Sequence, residues 1–213
     1  MAFSSAEGKE FFVEWYRCFF QAGYIKKVLD IGPGAGYYAD LIRTAEAGLL
    51  QKLAERAVAG SGDWKEVLKV LREKTVIHGI EVFEPYVTRF ALRKKYDQII
   101  IDSIENQVQS LSADYDLAIF GDVLDHLEIE IAKKVWETMK QKSRFLWLTF
   151  PVSNLVKPWY RGYKQSKEEY AENPNEQVIH CWEYPKLIEE LGPFLWQCPF
   201  MTVVVLIAEG KRR

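Results

Sequence analysis

Cysteine is scarce and scattered in this chain. Cys18, Cys181 and Cys198 are too few and too far apart for a disulfide framework or a thiolate zinc motif, so they are expected to be reduced packing residues. Long apolar runs are lacking as well: none reaches the roughly 20 residues that a membrane-spanning helix needs. The opening MAFSSAEGKE has no basic stretch leading into an apolar core, which argues against a secretory signal and predicts a cytoplasmic protein. Neither sign of charge dominates. The 28 Lys and Arg residues against 30 Asp and Glu leave a net charge of -2, so no global positive field draws in nucleic acid. Internal repeats and low-complexity tracts are also absent.

What is present suits a globular enzyme-sized domain. Hydrophobic residues make up 48% and charged residues 27% of the chain, the balance of a folded rather than a disordered protein. A length of 213 residues accommodates one α/β domain over 1–213 with one or two decorations.

The periodicity predicts an opening helix over 5–22, with Phe12, Trp15 and Phe19 on one face and Gly23 ending it. A short apolar run, Val28 to Ile31, leads into three glycines. Tyr38, Leu41, Ile42, Ala45 and Leu49 then repeat at helical spacing. Strand, glycine turn and helix open a βαβ unit. GSGD at 60–63 interrupts the pattern, and Asp63 with Glu66 forms a capping-box signature for a second short helix. Two helices exceed what one crossover needs, so 46–73 is expected to be a helical insertion on the surface.

Further strands are expected at Thr75–Ile80, Gln98–Ile101, Tyr115–Phe120 and Phe145–Phe150, with helices over 85–94 and 127–140 between them. These strands are rich in Ile, Val, Leu and Phe without clean alternation, as in a parallel sheet buried on both faces. The pattern then lapses for about 30 residues, a length that usually serves function. A helix near 184–191, stopped by Gly192-Pro193, and an apolar run from Met201 to Ala208 close the chain.

The run VLDIGPGAG (28–36) places Gly32, Gly34 and Gly36 between a buried strand and a helix. Glycines there let the backbone turn tightly and approach a ligand closely. A dinucleotide site spaces its glycines G-x-G-x-x-G; here the spacing is G-x-G-x-G, and Tyr37 stands where the last dinucleotide glycine belongs. The run DIGPGAG, beginning at Asp30, resembles instead the first motif of class I S-adenosylmethionine-dependent methyltransferases. IHGIEVFEP (77–85) resembles the second motif, whose acid, here Glu81, accepts hydrogen bonds from the cofactor's ribose hydroxyls. IIIDS (99–103) resembles the third, with Asp102 at the adenine amino group and Ser103 beside it. YDLAIFGDVLDHL (115–127) resembles the fourth, in which Gly121 and Asp122 line the methionine end and the acceptor. The resemblance covers roughly 24–150. It implies a Rossmann-like doubly wound α/β fold with a mostly parallel seven-stranded sheet, helices on both faces and an antiparallel C-terminal strand.

For the acceptor side, Asp122, Asp125 and His126 form a D-x-x-D-H run after the fourth expected strand, and His180 lies in the long segment beyond Phe150. Two carboxylates and two imidazoles make a ligand set for a divalent cation. The set resembles the E-x-x-E-H arrangement, with a distant histidine, of small-RNA 3′-end 2′-O-methyltransferases, in which a magnesium-like ion binds the acceptor oxygen. Aspartates replace the glutamates here, shortening each arm by a methylene, and this favours the metal-free alternative. In that alternative His126 or His180 is the base, since a histidine pKa suits neutral pH. Residues 151–182, with Lys157, Trp159, Tyr160, Arg161, Tyr163, Lys164 and Tyr170, are expected to be an acceptor lid, or else a solvated loop. Its tail NPNEQVIHCW resembles a pattern in uncharacterised bacterial methyltransferases. Three functions are open at this point: O-methylation of a small molecule such as a sugar or natural product, RNA 2′-O-methylation, and non-catalytic cofactor binding.

Overall fold

The computed structural model describes residues 8–151, 173–176, 179, 182–199 and 203–211. Most of the expected lid 151–182, His180 and Cys181 lie outside the described residues. One sheet organises the chain. Its strands are β1 (Lys27–Ile31), β2 (Val76–Glu81), β3 (Gln98–Ile101), β4 (Tyr115–Gly121), β5 (Ser143–Pro151), β6 (Trp196–Pro199) and β7 (Val203–Glu209), in spatial order β3-β2-β1-β4-β5-β7-β6. The first five pair in parallel, whereas β7 runs antiparallel to both β5 and β6. This is the expected doubly wound, mostly parallel, seven-stranded sheet. β6 was not expected from periodicity: it is a four-residue edge strand, half exposed and ending on Pro199, a place where proline is tolerated.

Both sheet faces are covered, which explains why the strands do not alternate cleanly. On one face Leu29, Ala118, Phe120, Leu146 and Leu148 pack against α7 (Ile129–Lys142) and α8 (Tyr184–Leu191). On the other, Val28, Leu117, Ile119 and Trp147 pack against α1 (Lys9–Gln21) and α2 (Tyr37–Val58). α1 buries Phe12, Tyr16 and Phe20, not the expected row Phe12, Trp15 and Phe19. Residues spaced by four stack along one helix face; Trp15 and Phe19 instead lie on the rim, against Trp147 (5.6 Å) and Phe145 (5.0 Å).

The segment 46–73 is not a separate body at its start. α2 is one continuous helix through Val58, and α3 (Trp64–Arg72) follows it with Asp63 capping through a bond from the Lys65 N–H, 2.8 Å. Glu46, midway along α2, accepts from the Thr75 N–H at the threshold of β2, 2.9 Å. A minimal crossover therefore ends near that level. Residues 47–58 carry the helix about 18 Å further at 1.5 Å per residue, and α3 brings the chain back. Leu49, Leu53 and Ala57 of the outgoing arm and Val67 of the returning one are buried, so the extension is a packed helical hairpin.

The helix expected over 85–94 is broken into α4 (Glu84–Arg89) and α5 (Leu92–Lys95), with Ala91 in the left-handed region at φ 51° between them. A single turn, α6 (Ile104–Gln107), precedes β4. Among the described residues no helix is long and apolar enough to cross a membrane. β1 runs first to β2 and β3 on one side; β4 and β5 then build on the other. The order thus reverses between β1 and β4, and ligands of open α/β sheets bind outside the carboxyl ends of the strands at such a point.

Candidate active site

A cleft of about 240 Å³ opens at that place. Its floor is the turn after β1. Gly32, Gly34 and Gly36 all hold positive φ, at 63°, 52° and 77°, a region that side chains rarely adopt. At Gly32 there is also no room: a Cβ would lie 2.6 Å from Val123 Cγ2, across on the turn after β4. Gly32 and Gly34 line the cleft. Gly36 does not; it caps α2, and a Cβ there would press on Lys95 Cδ at 2.9 Å.

Glu81 ends β2 inside the cleft and is only 4% exposed. Its Oε2 accepts from the Gly34 N–H (3.1 Å) and its Oε1 from the Phe83 N–H (2.9 Å). Burial pushes its pKa up to about 7, with the N–H groups of Phe83, Gly34 and Val82 opposing the rise and the charge of Glu176 adding to it. A carboxylate has about four acceptor sites, so capacity remains for hydroxyl donors. Asp30 is equally buried but lies beneath the turn and does not line the cleft. The Tyr96 hydroxyl donates to it at 2.5 Å. Burial still lifts its pKa to about 7. Its geometry is that of a residue that supports the turn.

Asp102 follows β3 and lines the cleft together with Ser103. It accepts from the Ser103 N–H (2.7 Å), Asn106 Nδ2 (2.8 Å) and Gln107 Nε2 (2.7 Å), bonds that hold its carboxyl below the usual range. Three bonds leave one acceptor site in a fixed direction.

The far end of the cleft is built by the turn after β4, where Gly121, Asp122 and His126 line it. Gly121 has no space for a side chain, since a Cβ would meet the Tyr38 ring at 2.5 Å. Asp122 holds φ 57°, and such strain in a non-glycine residue concentrates at functional sites. His126 closes a 3₁₀ turn, Leu124–His126, and its Nε2 lies 3.9 Å from Asp125 Oδ2. Asp125 is buried and does not line the cleft; its carbonyl accepts from the Ile179 N–H at 2.8 Å. Among the described residues no group of three or more His, Cys, Asp or Glu side chains is placed to hold a metal. The expected ligands Asp122, Asp125 and His126 are therefore not gathered into a metal site by themselves, and His180 is outside the described residues.

No family model matches the chain, and no curated protein matches it. Solved structures do. It is similar to magnesium protoporphyrin IX methyltransferase from Synechocystis PCC 6803, solved with S-adenosylmethionine (SAM) bound. There the identity is 12% over 96% of this chain and 79% of that one, at a TM-score of 0.54. This is the class I S-adenosylmethionine-dependent methyltransferase fold. A SAM-dependent methyltransferase from Archaeoglobus fulgidus matches at 14% identity over 94% of both chains, TM-score 0.51. So does the Burkholderia thailandensis 1,6-didemethyltoxoflavin-N1-methyltransferase, solved with its substrate and S-adenosylhomocysteine (SAH), at 12% identity over 94% of this chain and 78% of that one, TM-score 0.51.

Buried Glu81 stands between the glycine turn after β1 and Asp102 after β3, an acceptor set whose chemistry fits a ligand with a vicinal diol. Several residues in or beside the cleft are given no role by the sequence alone, although Asn173, Asn175 and Glu176 belong to the NPNEQVIHCW pattern. Tyr37 drew notice only as a departure from dinucleotide spacing. Lys9 is brought from the start of α1 to 4.4 Å over the Tyr37 ring; burial lowers its pKa, and the charge of Asp122 opposes that. Asn173, Asn175 and Glu176 join the cleft from the segment after β5. Only three-dimensional folding brings these groups together.

Proposed function

We propose that this chain is a SAM-dependent methyltransferase that modifies a hydroxyl group of a small molecule, with a sugar or natural product as acceptor. The observation that supports it best is one continuous cleft. It has Asp102 and the buried, hydrogen-bond-accepting Glu81 on one side and, on the other, Asp122 in a strained backbone beside His126. Glu81 and Asp102 hold the nucleoside, and the side-chain-free floor at Gly32 and Gly34 admits it closely. When bound, the cofactor supplies a methyl group already activated on a positively charged sulfur. The chain's own task is then alignment of the acceptor and removal of its proton. His126 takes that proton from the acceptor hydroxyl. Asp125, 3.9 Å from Nε2, favours the charged imidazolium that results. A positioned base contributes about 10²–10⁴-fold to rate. The metal alternative through Asp122, Asp125, His126 and His180, the last outside the described residues, is the outcome that chelation distinguishes.

The test is a screen of hydroxylated metabolites with SAM, read as SAH formed. With an acceptor in hand, His126→Ala should lower turnover by about 10²–10⁴-fold while SAH affinity stays within twofold or so, and a chelator should leave the wild-type rate unchanged. Activity abolished by chelation and restored by magnesium or manganese would overturn the metal-free base.

A further inference from the structure

The chain after β5 returns to the cleft at one described stretch. Pro174–Glu176 forms a single 3₁₀ turn, and Asn173 just before it is 4% exposed. Asn173 ties the turn together: its Oδ1 accepts from the backbone N–H and from Nδ2 of Asn175, both at 3.0 Å. The turn docks on α4, where the Tyr86 hydroxyl accepts a hydrogen bond from Asn173 and donates one to Glu176. Asn173, Asn175 and Glu176 face into the same cleft as Glu81, and the charge of Glu176 acts on Glu81.

Two carboxylates facing one small volume repel each other and each disfavours ionisation of the other. Within the turn Glu176 accepts from Asn173 Nδ2 at 3.5 Å and from Tyr86, and a carboxylate's remaining acceptor capacity faces the cleft. A ligand that donates hydrogen bonds to both oxygens reverses the sign of the interaction, since bonds to an ionised acceptor are about twice as strong as neutral ones. Beside Glu81 the hydroxyl-rich part of SAM is its ribose. We propose that the Asn173–Glu176 turn is a second wall of the cofactor site, and that Glu176 shares the ribose hydroxyls with Glu81. This rests on the cleft being the SAM site. The nucleoside is then held between strand end and turn rather than lying on an open sheet edge, and its binding depends on a segment more than 90 residues away from Glu81 in sequence.

The experiment is calorimetric titration of SAH into the full chain at about pH 8, above the carboxylate range, for wild type, Glu81→Gln, Glu176→Gln and the double variant. Glu176→Gln is expected to weaken SAH by about three- to tenfold. The double variant is expected to lose less than the product of the two single losses, because both acids serve one ligand group. Tyr86→Phe keeps the ring but undocks the turn, and is expected to weaken SAH as well. Glu176→Gln binding as tightly as wild type, or tighter, is what a merely repulsive neighbour produces and would overturn this inference alone. A wild-type chain that binds no SAH would overturn the cofactor reading beneath it.

Discussion

Glu81 concentrates the chemistry of the cleft at a single residue. Its raised pKa means that the folded apo protein holds a proton that the unfolded chain releases near the ordinary value of 4.5. The stability it contributes is therefore full below about 4.5 and is lost as pH rises through about 7; buried Asp30, also raised to about 7, acts in the same direction. Ribose hydroxyls favour the ionised form, so binding carries the opposite dependence. SAH affinity should rise roughly tenfold between about pH 6 and pH 8, with a proton released at the lower end. Isothermal titration in two buffers of different ionisation enthalpy measures both quantities. In Glu81→Gln the rise should flatten; an undiminished pH dependence in that variant would place the titrating group elsewhere. The sequence made Glu81 and Asp102 legible because each stands directly after a strand in a motif of fixed order. It did not separate residues that touch the cleft from residues that support it. Asp30 and Gly36 belong to the same motif as Gly32 and Gly34, yet one is held by Tyr96 beneath the turn and the other caps α2. Side-chain direction is set by packing partners far away in the chain, and local spacing does not carry it.

Among the elements, the five parallel strands and the long helices were readable because continuous apolar runs and i, i+4 spacing are strong signals. The failures were weak or tertiary signals. β6 is short and half exposed, and α4 and α5 are divided by one left-handed Ala91. The hairpin of α2 and α3 supports a prediction. Only Val67 of α3 is buried, while Trp64, Leu68 and Leu71 are exposed, and the outgoing arm reaches beyond the level where Glu46 meets Thr75. Replacing 47–73 with a Gly/Ser linker of about six residues, which reaches up to ~20 Å and so easily rejoins Glu46 to the Thr75 level it already touches, should leave SAH affinity unchanged. It should lower stability by about 1–3 kcal/mol, because Phe20 and Ile25 lose part of their cover. Urea unfolding and SAH titration of the same variant separate the two effects. Loss of SAH binding in a variant that still unfolds cooperatively would show that the hairpin shapes the cleft.

At the scale of the whole molecule, the site follows from topology. Reversal of strand order between β1 and β4 leaves a gap at their carboxyl ends. The turns after β1, β2, β3 and β4 each deliver one group to it: the glycines, Glu81, Asp102 and Asp122. A doubly wound sheet thus gathers residues spread over about half the chain without any of them being close in sequence. The balanced net charge and the modest cleft suit a small acceptor better than a polyanion, whose binding draws on clustered Lys and Arg. In the proposed site the cleft holds SAM with its ribose on Glu81 and its methyl end toward Asp122 and His126. A crystal structure of the chain grown with SAH decides whether it does. The expected result is SAH lying across Gly32 and Gly34, with its ribose hydroxyls within hydrogen-bond distance of Glu81, its adenine near Asp102 and its sulfur toward His126. SAH bound in the reverse direction, or a cleft left without it at saturating concentration, would contradict the assignment.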